Sequence, residues 1–137
     1  MLLFFKRKDN GNWQFIAGGG ESDESILLAA KRETFEESGI SENNPFSLLD
    51  SVSMIPKSEF KDHKNTKDLD CIPAYCFAVH SKDKKIRISS EHSDYSWLNV
   101  NEAINCLKYQ SNKTALLELN DKIEFIKFNI YMGETHP

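Results

Sequence analysis

Three glutamates, Glu33, Glu36 and Glu37, stand at i, i+3 and i+4 in the stretch from Gly18 to Ile40. On a helix of 3.6 residues per turn, that spacing puts their carboxylates on one face. Like charges so placed destabilise an isolated helix by about 0.2–0.5 kcal/mol per pair, and a hard divalent cation is the natural compensation. Magnesium prefers oxygen ligands, keeps several waters, and is commonly held by one or two carboxylates together with the phosphates of a substrate. A solvated acidic face is the plainer explanation of any Glu-rich helix. The surroundings argue against it here, because the glutamates belong to a longer pattern. Gly18 is followed after five residues by Glu24, after seven more by Arg32-Glu33, and then by Glu36-Glu37 and Gly39. Seven specified positions at a background of roughly 7% each match a random window on the order of once in 10⁸.

The elements that position these groups are a loop and a helix. Ala17-Gly18-Gly19-Gly20 allows the backbone to approach a ligand without Cβ clashes. Ser22 or Asp23 is the expected helix cap, with Glu24 in a first turn where the macrodipole favours negative charge. Arg32 pairs with neighbouring carboxylates and holds them in place. Ile26, Leu27, Ala29, Ala30 and Phe35 give the helix more than one apolar side, which predicts packing between a sheet and a loop.

Before this unit, residues 2–5 read as a short strand closed by Lys6-Arg7-Lys8, with a turn at Asp9-Asn10-Gly11 and a returning strand over 13–16. Beyond it, strands are expected over 46–55, 72–80 and 84–89, the last from the alternation of Ile86 and Ile88. The polar stretch 57–70 reads either as a solvated hairpin loop or as a cover over substrate, with His63, Lys64 and Lys67 near phosphate or base. Residues 112–131 place Leu116, Leu119, Ile123, Ile126 and Ile130 at helical spacing, with Ser111 or Asn112 as cap. That apolar stripe packs on the sheet or meets a second copy in a homodimer.

The 137 residues make one domain, 1–137, with 28% charged and 39% hydrophobic content typical of a globular protein. A net charge of −4 disfavours nucleic-acid coating and membrane-surface roles. No apolar run approaches the roughly 20 residues that span a membrane, and no signal peptide is evident. Cys71, Cys76 and Cys106 are odd in number and lack metal-ligand spacing, so reduced, buried thiols in a cytoplasmic protein are expected.

The spacing from Gly18 to Gly39 matches the Nudix box, and the chain resembles the Nudix hydrolase superfamily. Ile40 fits the aliphatic position after the last glycine; Thr34 departs from the one after Arg-Glu, a change in packing and not in chemistry. The resemblance implies an α/β fold, an α/β/α sandwich with a mixed β-sheet between helices, and here without the family's first strand. It implies Mg²⁺, with Mn²⁺ as a substitute, held by Glu33 and Glu37 and by a backbone carbonyl at Ala17 or Gly18. The run Glu91-His92…Tyr95…Trp97-Leu98, with Asn65-Thr66 and Ser111-Asn112-Lys113, resembles the branch of dihydroneopterin triphosphate/dATP pyrophosphohydrolases. That branch makes Glu91 a third metal ligand and places Tyr109 at a substrate contact, although the residue type differs. Trp97 is expected in the core, and His92 either orients Glu91 or caps the turn.

The implied activity is hydrolysis of a diphosphate bond in a nucleoside or pterin triphosphate. Glu36 and Glu91 are the contenders for general base, with Glu91 favoured. Lys6 and Arg7 either hold terminal phosphates or base, or solubilise a strand end. Two alternatives stand beside this activity: cleavage of a nucleotide-sugar or dinucleoside polyphosphate at the same metal site, and nucleotide binding without cleavage.

Overall fold

Two adjacent phenylalanines organise the first strand, because neighbouring residues on a strand point to opposite faces and both Phe4 and Phe5 are fully buried. In the computed structural model, which describes residues 1–21, 23–59, 70–82 and 85–131, they lie in β1 (Leu2–Arg7). The chain continues through β2 (Trp13–Gln14), α1 (Ile26–Ser38), β3 (Phe46–Pro56), a 3₁₀ turn (Lys57–Glu59), β4 (Cys71–Val79), β5 (His92–Leu98), α2 (Val100–Cys106) and α3 (Gln110–Tyr131). Phe4 packs with Ala103, Leu107 and Leu116 of the helical layer, joined by Leu2, Trp13, Phe15, Leu98 and Ile104. Burying each such phenylalanine contributes about 1.5–3 kcal/mol. Phe5, on the other face, lies against the His92 ring at 5.0 Å between centroids. β1 thus carries the core on one side and borders the candidate site on the other.

The resemblance implies one mixed sheet, and the described strand pairs form two antiparallel sheets, ordered β2-β1-β5 and β3-β4. The β1–β2 turn uses Gly11 at φ 70, with its N–H donating to the Arg7 carbonyl at 3.0 Å. β2 stops at Gln14, short of the expected Ile16, as Phe15 turns its ring onto Phe4 at 4.5 Å. Residues 85–89 are not the strand that Ile86 and Ile88 suggested. Their polar groups go to the end of α1: Arg87 donates from its backbone N–H to the Ser38 carbonyl at 2.9 Å and from Nη2 to the Phe35 carbonyl at 3.2 Å. The guanidinium also lies 5.2 Å from the Phe35 ring centroid. The expected loop with His63, Lys64, Asn65, Thr66 and Lys67 lies outside the described residues, as does Lys84.

Helix α3 starts at Gln110, ahead of the expected caps Ser111 and Asn112. It docks through Glu118 onto an irregularity of β3, where the ladder skips from Leu48↔Phe77 to Val52↔Tyr75. The N–H groups of Asp50 and Ser51, between those pairs, donate to the Glu118 carboxylate at 2.6 and 2.8 Å. Lys122, the Ser51 hydroxyl and these amides hold the Glu118 carboxyl down at about 2. A depressed carboxyl stabilises the fold above its unfolded value, near 4.5, and that contribution is lost as pH falls through about 2. Glu118→Gln should therefore unfold several degrees earlier than wild type at pH 7, with the gap closing toward pH 2. Thermal unfolding followed by circular dichroism checks this; an equal gap at every pH contradicts it.

Trp97 is half-buried outside the main cluster, while its neighbour Leu98 packs against it. The three thiols are free, but Cys106 is exposed and Cys71 and Cys76 are only half-buried, so the expected burial does not hold for Cys106. Among the described residues, no helix is long and apolar enough to cross a membrane.

Candidate functional site

Helix α1 is capped later than the sequence suggests, at Ser25 and not at Ser22 or Asp23. The Ser25 Oγ accepts from the Leu28 N–H at 3.2 Å. Asp23 instead occupies a turn at φ 67, and Ser22 lies outside the described residues. Glu24 precedes the helix, where its Oε1 accepts from the Glu21 N–H at 3.0 Å and closes the loop. At the other end Gly39 adopts φ 76 and donates to the Phe35 carbonyl, a left-handed cap that a side chain would strain.

The helix also inverts the expected burial. Ile26, Leu28 and Phe35 are 45–56% exposed, whereas Thr34, Glu37 and Ser38 are buried. The Ser38 hydroxyl donates to the Thr34 carbonyl and accepts from the Ile40 N–H at 3.1 Å. Glu37 Oε2 accepts from Ser89 Oγ at 2.8 Å and lies 2.9 Å from His92 Nδ1. The polar stripe faces inward because hydrogen bonds, and not apolar burial, seat this face of the helix.

Arg32 is the hub of the outer half. Its Nε and Nη2 grip Glu24 bidentately at 2.9 and 3.0 Å, its Nη1 donates to Glu33 at 3.0 Å and to Glu36 at 3.2 Å, and Nη2 also reaches the Gly19 carbonyl at 2.9 Å. One planar fork thus ties the glycine loop to three carboxylates, a task suited to guanidinium geometry. Its hydrogen bonds hold the Glu24 carboxyl down at about 2. Glu33 moves the other way: burial pushes its carboxyl up, outweighing the Arg32 bond, with the Glu36 and Glu37 charges acting in the same sense as burial. One cation among these glutamates leaves an excess of negative charge on the face.

Of the three loop glycines, only Gly18 needs its missing side chain. A Cβ there would collide with the end of the Glu33 side chain, while Gly19 has open space and Gly20 ordinary contact with Ala29. Gly18→Ala is expected to displace Glu33 and reduce turnover by about 10²-fold, with an unchanged far-ultraviolet spectrum; wild-type turnover would show that the close approach is irrelevant.

The remaining candidates are more dispersed. Glu91 is exposed, its carbonyl accepting from the Lys8 N–H at 3.1 Å. Arg7 forks onto Asp9 at 2.7 and 2.8 Å, and Asp9 leads the pull that raises its pKa, with Glu91 and Glu37 acting in the same sense at longer range. Lys6 lays its stem beside Gly11, on the hairpin turn. Ala17 is exposed in the loop before Gly18. Tyr109 is 61% exposed at the start of α3, with the Lys108 ammonium 5.5 Å from its ring centroid. It touches none of the box glutamates. Among the described residues, no three His, Cys, Asp or Glu side chains stand close enough together to hold a metal ion. The donor type nevertheless suits a hard cation: carboxylate oxygens, one of them on a buried Glu37. Sequence reasoning missed Ser89, whose contact with Glu37 depends on the Arg87 anchor and has no spacing signal. It left His92 either orienting Glu91 or capping the turn, and the ring meets Glu37 while the His92 N–H donates to the Ser89 carbonyl at 3.2 Å.

A glycine loop feeding a helix with this Arg-Glu hub, in an α/β frame, defines the Nudix class. The sequence model of the NUDIX domain matches residues 1–119, and the chain belongs to the Nudix family. It is 29% identical over 120 residues to the dihydroneopterin triphosphate diphosphatase of Haemophilus influenzae, a match covering 84% of this chain and 75% of that protein. With the mitochondrial Nudix hydrolase 13 of Arabidopsis thaliana, identity is 32% over 127 residues, covering 85% of this chain but only 58% of that protein's length. A crystal structure from Listeria monocytogenes, solved as a candidate NUDIX hydrolase, is 37% identical with a TM-score of 0.79, covering 89% of this chain and 82% of that one.

Proposed function

We propose that this protein is a magnesium-dependent pyrophosphohydrolase that cleaves a diphosphate bond in a nucleoside or pterin triphosphate. The observation that carries the reading is the Arg32 hub: it ties Glu24, Glu33, Glu36 and the Gly19 carbonyl together while an excess of carboxylate remains on the same helix face. Glu33, Glu37 and Glu91 are the side chains assigned to hold Mg²⁺, or Mn²⁺ in its place, with the Ala17 or Gly18 carbonyl. When bound, such an ion neutralises phosphate charge, polarises phosphorus and lowers the pKa of water.

The chain's own residues divide the remaining work. Arg32 positions Glu33 and Glu36 and fixes the loop. Glu36 is occupied by Arg32, whereas no hydrogen bond to the Glu91 carboxylate is present among the described residues, which supports Glu91 as the general base. Arg7, within electrostatic range of Glu37 and Glu91, is better placed for a substrate phosphate than Lys6 on the hairpin turn or Tyr109 at the start of α3. The triphosphate substrate is supported by the likeness to the Haemophilus diphosphatase. The apolar surface of α3 is the face assigned to a homodimer contact.

Purified protein with Mg²⁺ should release pyrophosphate from dihydroneopterin triphosphate or dATP faster than it releases any product from ADP-ribose or diadenosine polyphosphates. The opposite preference moves the assignment to nucleotide-sugars or dinucleoside polyphosphates. Nucleotide binding without turnover of any of them would identify a binding module.

A further inference from the structure

His92 is 3% exposed, and its ring is pinned on one side by Phe5. Nδ1 lies 2.9 Å from Glu37 Oε2 and 3.2 Å from Ser89 Oγ, while Nε2 is buried with no hydrogen-bond partner among the described residues. A carboxylate only accepts, so the ring hydrogen that faces it is on Nδ1. Ser89 donates to the same oxygen, Oε2, at 2.8 Å. Two donors therefore converge on one oxygen of Glu37, and neither takes Oε1.

We infer that His92 and Ser89 are positioning residues that lock the plane of the Glu37 carboxylate through Oε2 and leave Oε1 turned toward a divalent cation. This rests on the assignment of Glu37 to the cation made above. Two fixed donors on one oxygen remove the rotation that would otherwise let Glu37 fold onto its neighbours, and the outer partners of a metal-binding side chain commonly tune affinity by 10–100-fold. Both come from outside the Gly18–Gly39 unit: Ser89 through the segment that Arg87 anchors to the end of α1, and His92 through the first pair of β5 with β1, Arg7↔His92. The sheet and the loop after β4 thus set the orientation of a side chain on α1.

Mn²⁺ alone, titrated into the substrate-free protein and followed by electron paramagnetic resonance, tests this. His92→Phe keeps a ring against Phe5 but removes the donor; it should bind Mn²⁺ about 10–100-fold more weakly, with kcat reduced and KM for the triphosphate nearly unchanged. His92→Asn, whose amide reproduces a donor near Nδ1, should recover most of the affinity. Ser89→Ala, which removes only a hydroxyl, should weaken binding in the same direction by less. In the metal-free wild type, ¹H–¹⁵N spectra should show the His92 hydrogen on Nδ1, with a shift that moves in Glu37→Ala. Wild-type Mn²⁺ affinity in both His92→Phe and Ser89→Ala, or a ring hydrogen on Nε2 alone, overturns the positioning role and leaves the proposed function standing. If Glu37→Gln binds Mn²⁺ as well as wild type does, the cation assignment falls, and this inference with it.

Discussion

Glu37→Gln should reduce magnesium-dependent turnover by about 10³-fold while leaving the fold intact. The glutamine keeps the shape of the side chain and an oxygen that can still accept from Ser89 and His92, so the contacts between α1, residues 85–89 and β5 survive. What it lacks is the negative charge. Lewis-acid stabilisation of a phosphoryl group is worth several kcal/mol, and each 1.36 kcal/mol is tenfold in rate. Because Glu37 is only 7% exposed, bulk water cannot replace the lost ligand readily. Steady-state kinetics with circular dichroism separates chemistry from folding: turnover within a few-fold of wild type removes Glu37 from the site.

Arg32→Lys should cost about 10²-fold in kcat, a larger effect than exchanging one cation for another suggests. A lysine ammonium is a point charge on a flexible stem and cannot hold Glu24 bidentately while also reaching Glu33, Glu36 and the Gly19 carbonyl. The loop and the helix then lose their common anchor. A second signature does not depend on activity. The Glu24 carboxyl, at about 2 in the native protein, should return toward its ordinary range in Arg32→Lys. The sign follows from linkage: a depressed carboxyl adds stability above its unfolded value near 4.5 and loses it as pH falls through about 2. The variant should therefore lack the acid-side loss that wild type shows in that window. Carbon-detected titration of Glu24 decides it; a carboxyl still near 2 in Arg32→Lys would mean that Arg32 is not what holds it.

The loop and helix of the Gly18–Gly39 unit were legible because their signals are short-range: a glycine run ahead of a helix, glutamates at i, i+3 and i+4, and a glycine cap, at φ 76; that Gly18 is the glycine Glu33 presses on was not. The helix boundary was misread by a few residues because Ser22, Asp23 and Ser25 are all plausible caps, and only the turn at Asp23 selects Ser25. The packing of α1 was not legible at all. Ile26, Leu27 and Phe35 read as parts of apolar sides that pack, yet all three are exposed, and the face that is seated is the polar one, fixed by partners 52 residues away. Alternation at Ile86 and Ile88 misled for the same reason: tertiary bonds from Arg87 override a weak strand pattern. Long-range partners such as Ser89 on Glu37 or Glu118 on the β3 irregularity leave no trace in local periodicity.

The most direct test of a cation gripped by the acidic face of α1 is paramagnetic broadening of backbone amides by substoichiometric Mn²⁺ in the full chain. The expected result is loss of signal centred on Gly18, Glu33, Glu36, Glu37 and Glu91, competed away by excess Mg²⁺ and absent in Glu37→Gln. Broadening centred elsewhere, or none at all, would contradict it.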